Sequence, residues 1–406
     1  MDSGQIICQQ LPAGRNHLRV AVVTETYPPE VNGVAMTIGR MVAGLQARQH
    51  QVQLIRPRQH PDDNPAVGPG FEEVLQRGLS IPRYDSLKMG LPARQALLKL
   101  WSLARPDVVH LVTEGPLGWS ALSAALKLKI PCSSDFHTNF QSYSRHYGIG
   151  WLRKPIVAYL RKFHNRAGST MVPTTAMRDE LALHGYRNLR VVARGVDTRL
   201  FEPAKRCAEL RRAWGATDAA PVAMYVGRIA PEKNLPVLVQ AFREIKRTQP
   251  QAVCVLVGDG PERAGLQTAH PDFIFAGSRH GDDLAAHYAS GDVFLFASTT
   301  ETFGNVTLEA MASGLAVVAY NYAAAAECIE HGRDGVVADY DNGADFITLA
   351  ASLAADRSRI ERLRRAARVS ALKLDWETVH DKFVAALDET ITSRHERSEL
   401  KLQLSA

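Results

Sequence analysis

The chain has 406 residues, 46% of them hydrophobic and 22% charged. This is an ordinary globular composition, at a length that accommodates two domains of roughly 100–200 residues. Five cysteines (Cys8, Cys132, Cys207, Cys254 and Cys328) form no CxxC pair, which argues against a disulfide framework or a structural zinc site and fits a reducing compartment.

The N-terminal stretch lacks a basic start followed by a long apolar core, and no apolar run approaches the roughly 20 residues of a membrane helix. The expectation is a cytoplasmic protein. Its net charge of +6 is uneven: Met1–Arg190 carries 23 Lys+Arg against 13 Asp+Glu, a net of +10, and the rest 25 against 29, a net of −4. A basic first half expects an anionic partner, whether membrane surface, nucleic acid or acidic substrate.

In chain order, Leu18–Val23 is an apolar, β-branched run without polar alternation, the mark of a buried parallel strand. A Pro-Pro turn and VNGV follow, then a helical pattern (MTIGRMVAGLQARQH) and a second strand, VQLIRP. RPDVVHLVT, the small-residue helix SALSAALKLK and IPCSSDFHTNF continue the alternation. After the turn-rich GVDTRLFEP it restarts with VAMYVGRI, the helix NLPVLVQAFREIKR, AVCVLVGDG, FIFAGS, DVFLFAS and AVVAYN. Alternating strands and helices predict an α/β fold with parallel sheets. The expected organisation is a Rossmann-like unit over residues 1–195, a second over 196–375, and a frayed, charged tail over 389–406.

Ligands of open α/β sheets sit at the carboxyl ends of strands, so polar residues just after each strand are the candidates. ETFGNVTLEAMASG follows DVFLFAS and places Glu301 and Glu309 eight positions apart. A helix beginning near Gly304 would present free amides and a positive dipole end to a phosphate. As a lone pair, two glutamates are more often a surface residue and a helix-start residue. Arg228 and Lys233, five apart after VAMYVG, suit a diphosphate, the first as a fork and the second as a point charge. Two solvated cations are the equal alternative. His137 in SDFHTNF stands where it could meet a sugar hydroxyl, or be a satisfied core histidine. Gly33 opens the first helix, by a phosphate or as a plain turn.

Asp339 and Asp341 form a DxD pattern in a late, Gly-flanked loop and are read as no metal site. No GxGxxG follows the first strand, and no Walker loop, GxSxG elbow or HExxH is present. Residues 151–168 combine Trp151, Leu152, Ile156, Val157, Tyr159, Leu160 and Phe163 with Arg153, Lys154, Arg161, Lys162 and Arg166. Such a helix lies on an anionic membrane or packs on a core with a solvated cationic face.

Together, ETFGNVTLEAMASGLAVVA, VGRIAPEKN, FAGSRHGDDLAAHYASGDVFLFAS and TETYPPEVNGVA resemble the retaining glycosyltransferases of family 4, with the GT-B fold of two Rossmann-like domains facing across a cleft. The resemblance runs from the first strand to about Asp388. It implies that Gly33, Arg228, Lys233 and the backbone at Asn305 and Val306 hold the donor diphosphate. Glu309 would bind the ribose. Glu301 and the backbone near Phe303 and Gly304 would contact the donor sugar. His137 would reach that sugar from the other domain and assist catalysis, and Ser278 and Arg279 would border the base. It further implies no metal or other cofactor, and a last helix, about 376–388, crossing back to the first domain.

DFHTNFQSYSRHYGIGWLRKP and VVARGVDTRLFEP resemble the branch acting on membrane lipids or lipid-linked acceptors. On that resemblance the anionic partner is a membrane surface at its cytoplasmic face, not nucleic acid. The donor expected is a nucleotide sugar, GDP-mannose ahead of UDP-sugars. The Pro-Pro-Gly-Asp loop usual near the end of the second domain reads VADYDNGAD here, in a place peripheral to the chemistry. The alternatives are a UDP-sugar enzyme with a soluble acceptor, or a sugar-nucleotide epimerase or hydrolase of the same fold.

Overall fold

The structure is a computed structural model and describes residues 17–30, 32–60, 62–81, 84–137, 153–217 and 219–403. Two separate sheets organise it. The first contains β1 (Arg19–Val23), β2 (Gln51–Pro57), β3 (Val67–Gly68), β4 (Phe71–Gln76), β7 (Val108–Leu111), β8 (Cys132–Asp135), β9 (Ser169–Val172) and β10 (Leu189–Val191). Its order is β10-β9-β8-β7-β1-β2-β4-β3, parallel except for the short β3–β4 pair. β5 (Gly78–Ile81) and β6 (Tyr84–Gly90) form a separate antiparallel hairpin.

The second sheet contains β11 (Val222–Val226), β12 (Val253–Val257), β13 (Ile274–Gly277), β14 (Val293–Phe296), β15 (Ala316–Tyr320) and β16 (Val336–Ala338). Its order is β13-β12-β11-β14-β15-β16, all parallel. Central strands such as VAMYV and VFLF are buried at every residue, as strands covered by helices on both faces must be. Parallel strands share one direction, so every carboxyl end of a sheet emerges at one edge. The order reverses at β1/β7 in the first sheet and at β11/β14 in the second, which opens a crevice there.

The helix Trp376–Gln403 packs on the helix Gly33–Ala47 of the first unit. Val379, Phe383, Ala386 and Leu387 join the core around β1 and β2. The helix does not stop at Asp388. Thr390 is 4% exposed and its hydroxyl lies 2.6 Å from Ser169 Oγ on β9, so burial carries it into the segment expected to fray.

Leu160 and Phe163, in the helix Arg153–His164, are buried against the first unit, while Lys154, Arg161 and Lys162 are exposed. The apolar side of this helix is therefore occupied by core, and its cations face outward. Trp151, Leu152 and most of DFHTNFQSYSRHYGIGWLRKP lie outside the described residues.

Candidate active site

The carboxyl edge of the second sheet gathers most of the expected residues. β11 is followed by Gly227, Arg228 and a single 3-10 turn, Pro231–Lys233. β14 is followed by Ser298–Gly304 and then the helix Asn305–Ala312. Lys233 Nζ meets Glu301 Oε1 at 2.5 Å, and Thr300 Oγ1 donates to the Glu232 carbonyl at 3.1 Å. The two loops are thus tied together over the switch point. Ser298 Oγ also donates to Glu301 Oε1, at 2.6 Å, and Tyr322 donates to the Glu301 carbonyl at 2.7 Å. Arg228 is half exposed, its guanidinium 3.2 Å from the buried Glu232 carboxylate.

Gly304 caps the helix Asn305–Ala312 at φ 91°, in the left-handed region where a side chain would be strained. The helix start leaves the amides of Asn305 and Val306 without intrahelical acceptors, close behind Glu301 and its lysine. Phe303 is a core side chain, 5% exposed, and its carbonyl accepts from Ala324 N–H at 2.8 Å, so its side chain is not available to a ligand. Glu309, one turn further on, accepts a hydrogen bond from Tyr288 Oη at 2.9 Å. Burial lifts its carboxyl to about 7, against the opposing pull of Tyr288.

Ser278 and Arg279 are exposed just after β13. Arg279 donates to the Ala276 carbonyl and pairs with Asp283 at 3.1 Å. They stand at the same sheet edge as Arg228 but at its far strand. The glycine turn after β12 serves packing: a Cβ on Gly258 would lie 2.0 Å from the Gly227 carbonyl oxygen. That close approach lets the β12 turn lie directly on the β11 turn.

Two residues come from the first unit. Gly33 opens the helix Gly33–Ala47, exposed, with open space where a Cβ would stand. His137 follows β8, and its carbonyl accepts from Thr302 Oγ1 at 2.8 Å. Its ring, however, is turned inward, with Nε2 2.9 Å from Asp135 Oδ2 and a side chain only 7% exposed. What the first unit presents to the Ser298–Gly304 loop here is the backbone of His137.

Sequence reasoning missed several groups. Tyr288 and Tyr322 carry no motif, since a tyrosine in a helical pattern gives no sign of where its hydroxyl points. The loop after β16, expected to be peripheral, reaches the site edge: Tyr340 Oη donates to the Thr299 carbonyl at 3.0 Å, and its ring lies 4.9 Å from that of Tyr322. At the switch point of the first sheet stands Glu25. Burial, with the repulsion of Glu114, lifts its carboxyl to about 7 although Leu117 N–H donates to it. The signal for Glu25 was available, because it stands directly after the first strand.

Two parallel sheets with facing carboxyl edges, and a lysine, a carboxylate and a helix start gathered at one switch point, define a glycosyltransferase of the GT-B class. Residues 31–200 match "Glycosyltransferase Family 4" and residues 220–356 match "Glycosyl transferases group 1". The chain belongs to this glycosyltransferase family.

A "GDP-mannose-dependent alpha-mannosyltransferase" of Mycolicibacterium smegmatis is 34% identical over 94% of this chain and 100% of its own length. A protein of the same name from Mycobacterium tuberculosis is 33% identical over 90% and 95%. An "Alpha-monoglucosyldiacylglycerol synthase" of Streptococcus pneumoniae is 29% identical over 75% and 71%. Among solved structures, a sucrose-phosphate synthase from Thermosynechococcus elongatus superposes with a TM-score of 0.73 at 17% identity, covering 93% of this chain and 100% of that one. The Anabaena protein HepE in complex with UDP gives 0.72 at 18%, covering 92% and 100%.

Proposed function

We propose that this glycosyltransferase moves a mannosyl group from GDP-mannose to a hydroxyl of a lipid acceptor, with retention of configuration and without a metal ion. The observation that carries the reading is the convergence of Lys233, Glu301 and the start of the helix Asn305–Ala312 at one switch point. In the transfer, the bond from the anomeric carbon to the diphosphate breaks and its electron pair stays on GDP. The acceptor oxygen bonds to that carbon and passes its proton to the departing diphosphate. Negative charge therefore grows on the diphosphate, where Arg228, Lys233 and the amides of Asn305 and Val306 offer preorganised positive charge.

Glu309 takes the ribose hydroxyls, and Glu301 with the backbone at Phe303 and Gly304 takes the sugar. Gly33 leaves room for the diphosphate on the opposite side, and Ser278 and Arg279 border the base. The choice of mannose and GDP rests on the names of the relatives that align over nine-tenths or more of this chain. The choice of a lipid acceptor rests on those whose names include diacylglycerol and phosphatidylinositol lipids.

Membrane association in this reading is electrostatic. The apolar side of Arg153–His164 is spent on the core, and Lys154, Arg161 and Lys162 remain for anionic headgroups. Among the described residues no helix is long and apolar enough to cross a membrane.

The test is a melting curve of the purified protein with GDP, UDP, ADP or NAD, each without metal, followed by transfer from radiolabelled GDP-mannose into vesicles holding diacylglycerol. A ligand that binds the native state raises the melting temperature in step with its excess over Kd. A selective GDP shift that is lost in Glu309→Ala is expected. A shift with UDP alone would replace the donor, and a shift with NAD alone would overturn the reading. Release of free mannose without transfer would favour a hydrolase.

A further inference from the structure

The inward ring of His137 has two partners that no part of the donor site requires. Asp135, the last residue of β8, is 2% exposed, and Arg194, just beyond β10, is 4% exposed. His137 Nε2 lies 2.9 Å from Asp135 Oδ2. Arg194 Nη2 lies 3.2 Å from each Asp135 oxygen and 3.3 Å from His137 Nδ1.

Arg194 is the partner that fixes where the histidine proton sits, because Nε2, although close to Asp135, makes no hydrogen bond. A guanidinium only donates, and an ionised carboxylate only accepts. Facing Arg194, Nδ1 is the bare nitrogen of the neutral ring, which leaves the hydrogen on Nε2, whose contact with Asp135 is electrostatic and not a hydrogen bond. Burial alone would raise the Asp135 carboxyl. Arg194 and then His137 outweigh that and hold it far below the usual carboxylate range, so it stays an anion between the two. Among the described residues, His110, buried on β7 and hydrogen-bonded to Ser133, is a further titratable group acting on Asp135, and burial lowers it to about 4.

The same residue points the other way through its backbone. Thr302 donates to the His137 carbonyl at 2.8 Å, and Thr302 is covalently next to Glu301, which is held by Lys233. A continuous path thus runs from a buried pair in the first unit to the donor loop of the second. Arg194 stands on the segment that carries the chain between them, where Val196 N–H bonds to the Leu374 carbonyl and Asp197 pairs with Arg40 at 2.8 Å. A buried ion pair gains little stability over apolar side chains of equal volume, and its best-attested use is to specify one arrangement.

We propose that Asp135 and Arg194 are positioning residues that hold His137 in one tautomer and one orientation, and thereby set where the donor loop at Thr302 docks on the first unit. This rests on the donor-site reading above and deepens it.

The test uses the full-length protein with GDP-mannose and diacylglycerol vesicles. Asp135→Asn and Arg194→Lys should each lower kcat by about tenfold or more, the scale at which misplacement of a reacting group acts. GDP affinity should stay within about twofold, because the diphosphate contacts lie mostly in the second unit. In a His137→Ala background Asp135→Asn should cost nothing further, since coupled residues are not additive.

Breaking a buried pair can unfold a protein. Arg194→Lys keeps a cation beside Asp135 while losing the reach to Nδ1, so it carries the test if Asp135→Asn does not fold. The ¹⁵N spectrum of His137 should show the Nε2–H form in the wild type and a mixture in Arg194→Lys. Wild-type kcat in Arg194→Lys, or an equal cost of Asp135→Asn with and without His137, would overturn the proposal. If the wild type neither binds GDP nor transfers mannose, the donor reading fails instead. An unchanged tautomer in Arg194→Lys would then still refute the positioning role.

Discussion

Lys233 Nζ lies 2.5 Å from Glu301 Oε1, and the two side chains are 18% and 15% exposed. They stand 68 positions apart in the chain and close the gap between the turns after β11 and β14. A carboxylate held by a lysine keeps that cation ordered at the mouth of the helix Asn305–Ala312, where the proposed reading puts the diphosphate.

Replacing Lys233 by Ala should lower transfer by about 10²–10³-fold, the usual cost of removing one preorganised electrostatic donor. GDP should bind more weakly, while the circular dichroism spectrum stays that of the wild type. Steady-state kinetics beside a melting curve checks this. Undiminished activity would remove Lys233 from the site.

Glu309 makes stability and binding respond to pH in opposite ways. Burial raises its pKa from 4.5 to about 7, so between those values the folded state holds a proton that the unfolded state has released. Stability therefore falls as pH rises through this window and levels off above it. Glu309→Gln removes the penalty, and its melting temperature should gain on the wild type from pH 5 to pH 8. An ionised carboxylate accepts ribose hydroxyls more strongly than its protonated form, so GDP affinity should strengthen through about pH 7 in the wild type and not in Glu309→Gln. Calorimetric titrations across that range decide it.

The helix Trp376–Gln403 is fastened at a close crossing. A Cβ on Gly44 would lie 2.4 Å from the His380 ring, so Gly44→Ala should destabilise by about 1–3 kcal/mol through overpacking. Phe383→Ala, in the core below, should cost about 3–5 kcal/mol. Urea unfolding measures both, and a neutral Gly44→Ala would mean that the helix shifts without cost.

Reversing Lys154 and Lys162 to Glu should weaken sedimentation with phosphatidylglycerol vesicles by tenfold or more, on a scale of about 1 kcal/mol per cation near an anionic surface. High salt should weaken the wild type in the same direction. GDP binding should not change. Equal sedimentation of wild type and variant would show that this helix is not the docking face.

Much of this molecule was legible one segment at a time. Apolar, β-branched runs such as Leu18–Val23 and Val293–Phe296 signal buried strands by themselves, because a strand covered on both faces has no use for polar alternation. The helix start near Gly304 was legible too, as was the search for ligands just past strand ends. Weaker strands were not: β9 opens on the polar Ser169 and Thr170, and β16 is only three residues long, so neither gives an extended apolar run.

Strand order was decided only in three dimensions. It depends on which apolar surfaces cover which, and it makes neighbours of β11 and β14, and so of Lys233 and Glu301. The inward turn of His137 was equally hidden, because Arg194 is 57 positions away in the chain. The residue types at a site are set locally by the sequence. Which of them meet is set by sheet order, and sheet order answers to the packing of the whole chain.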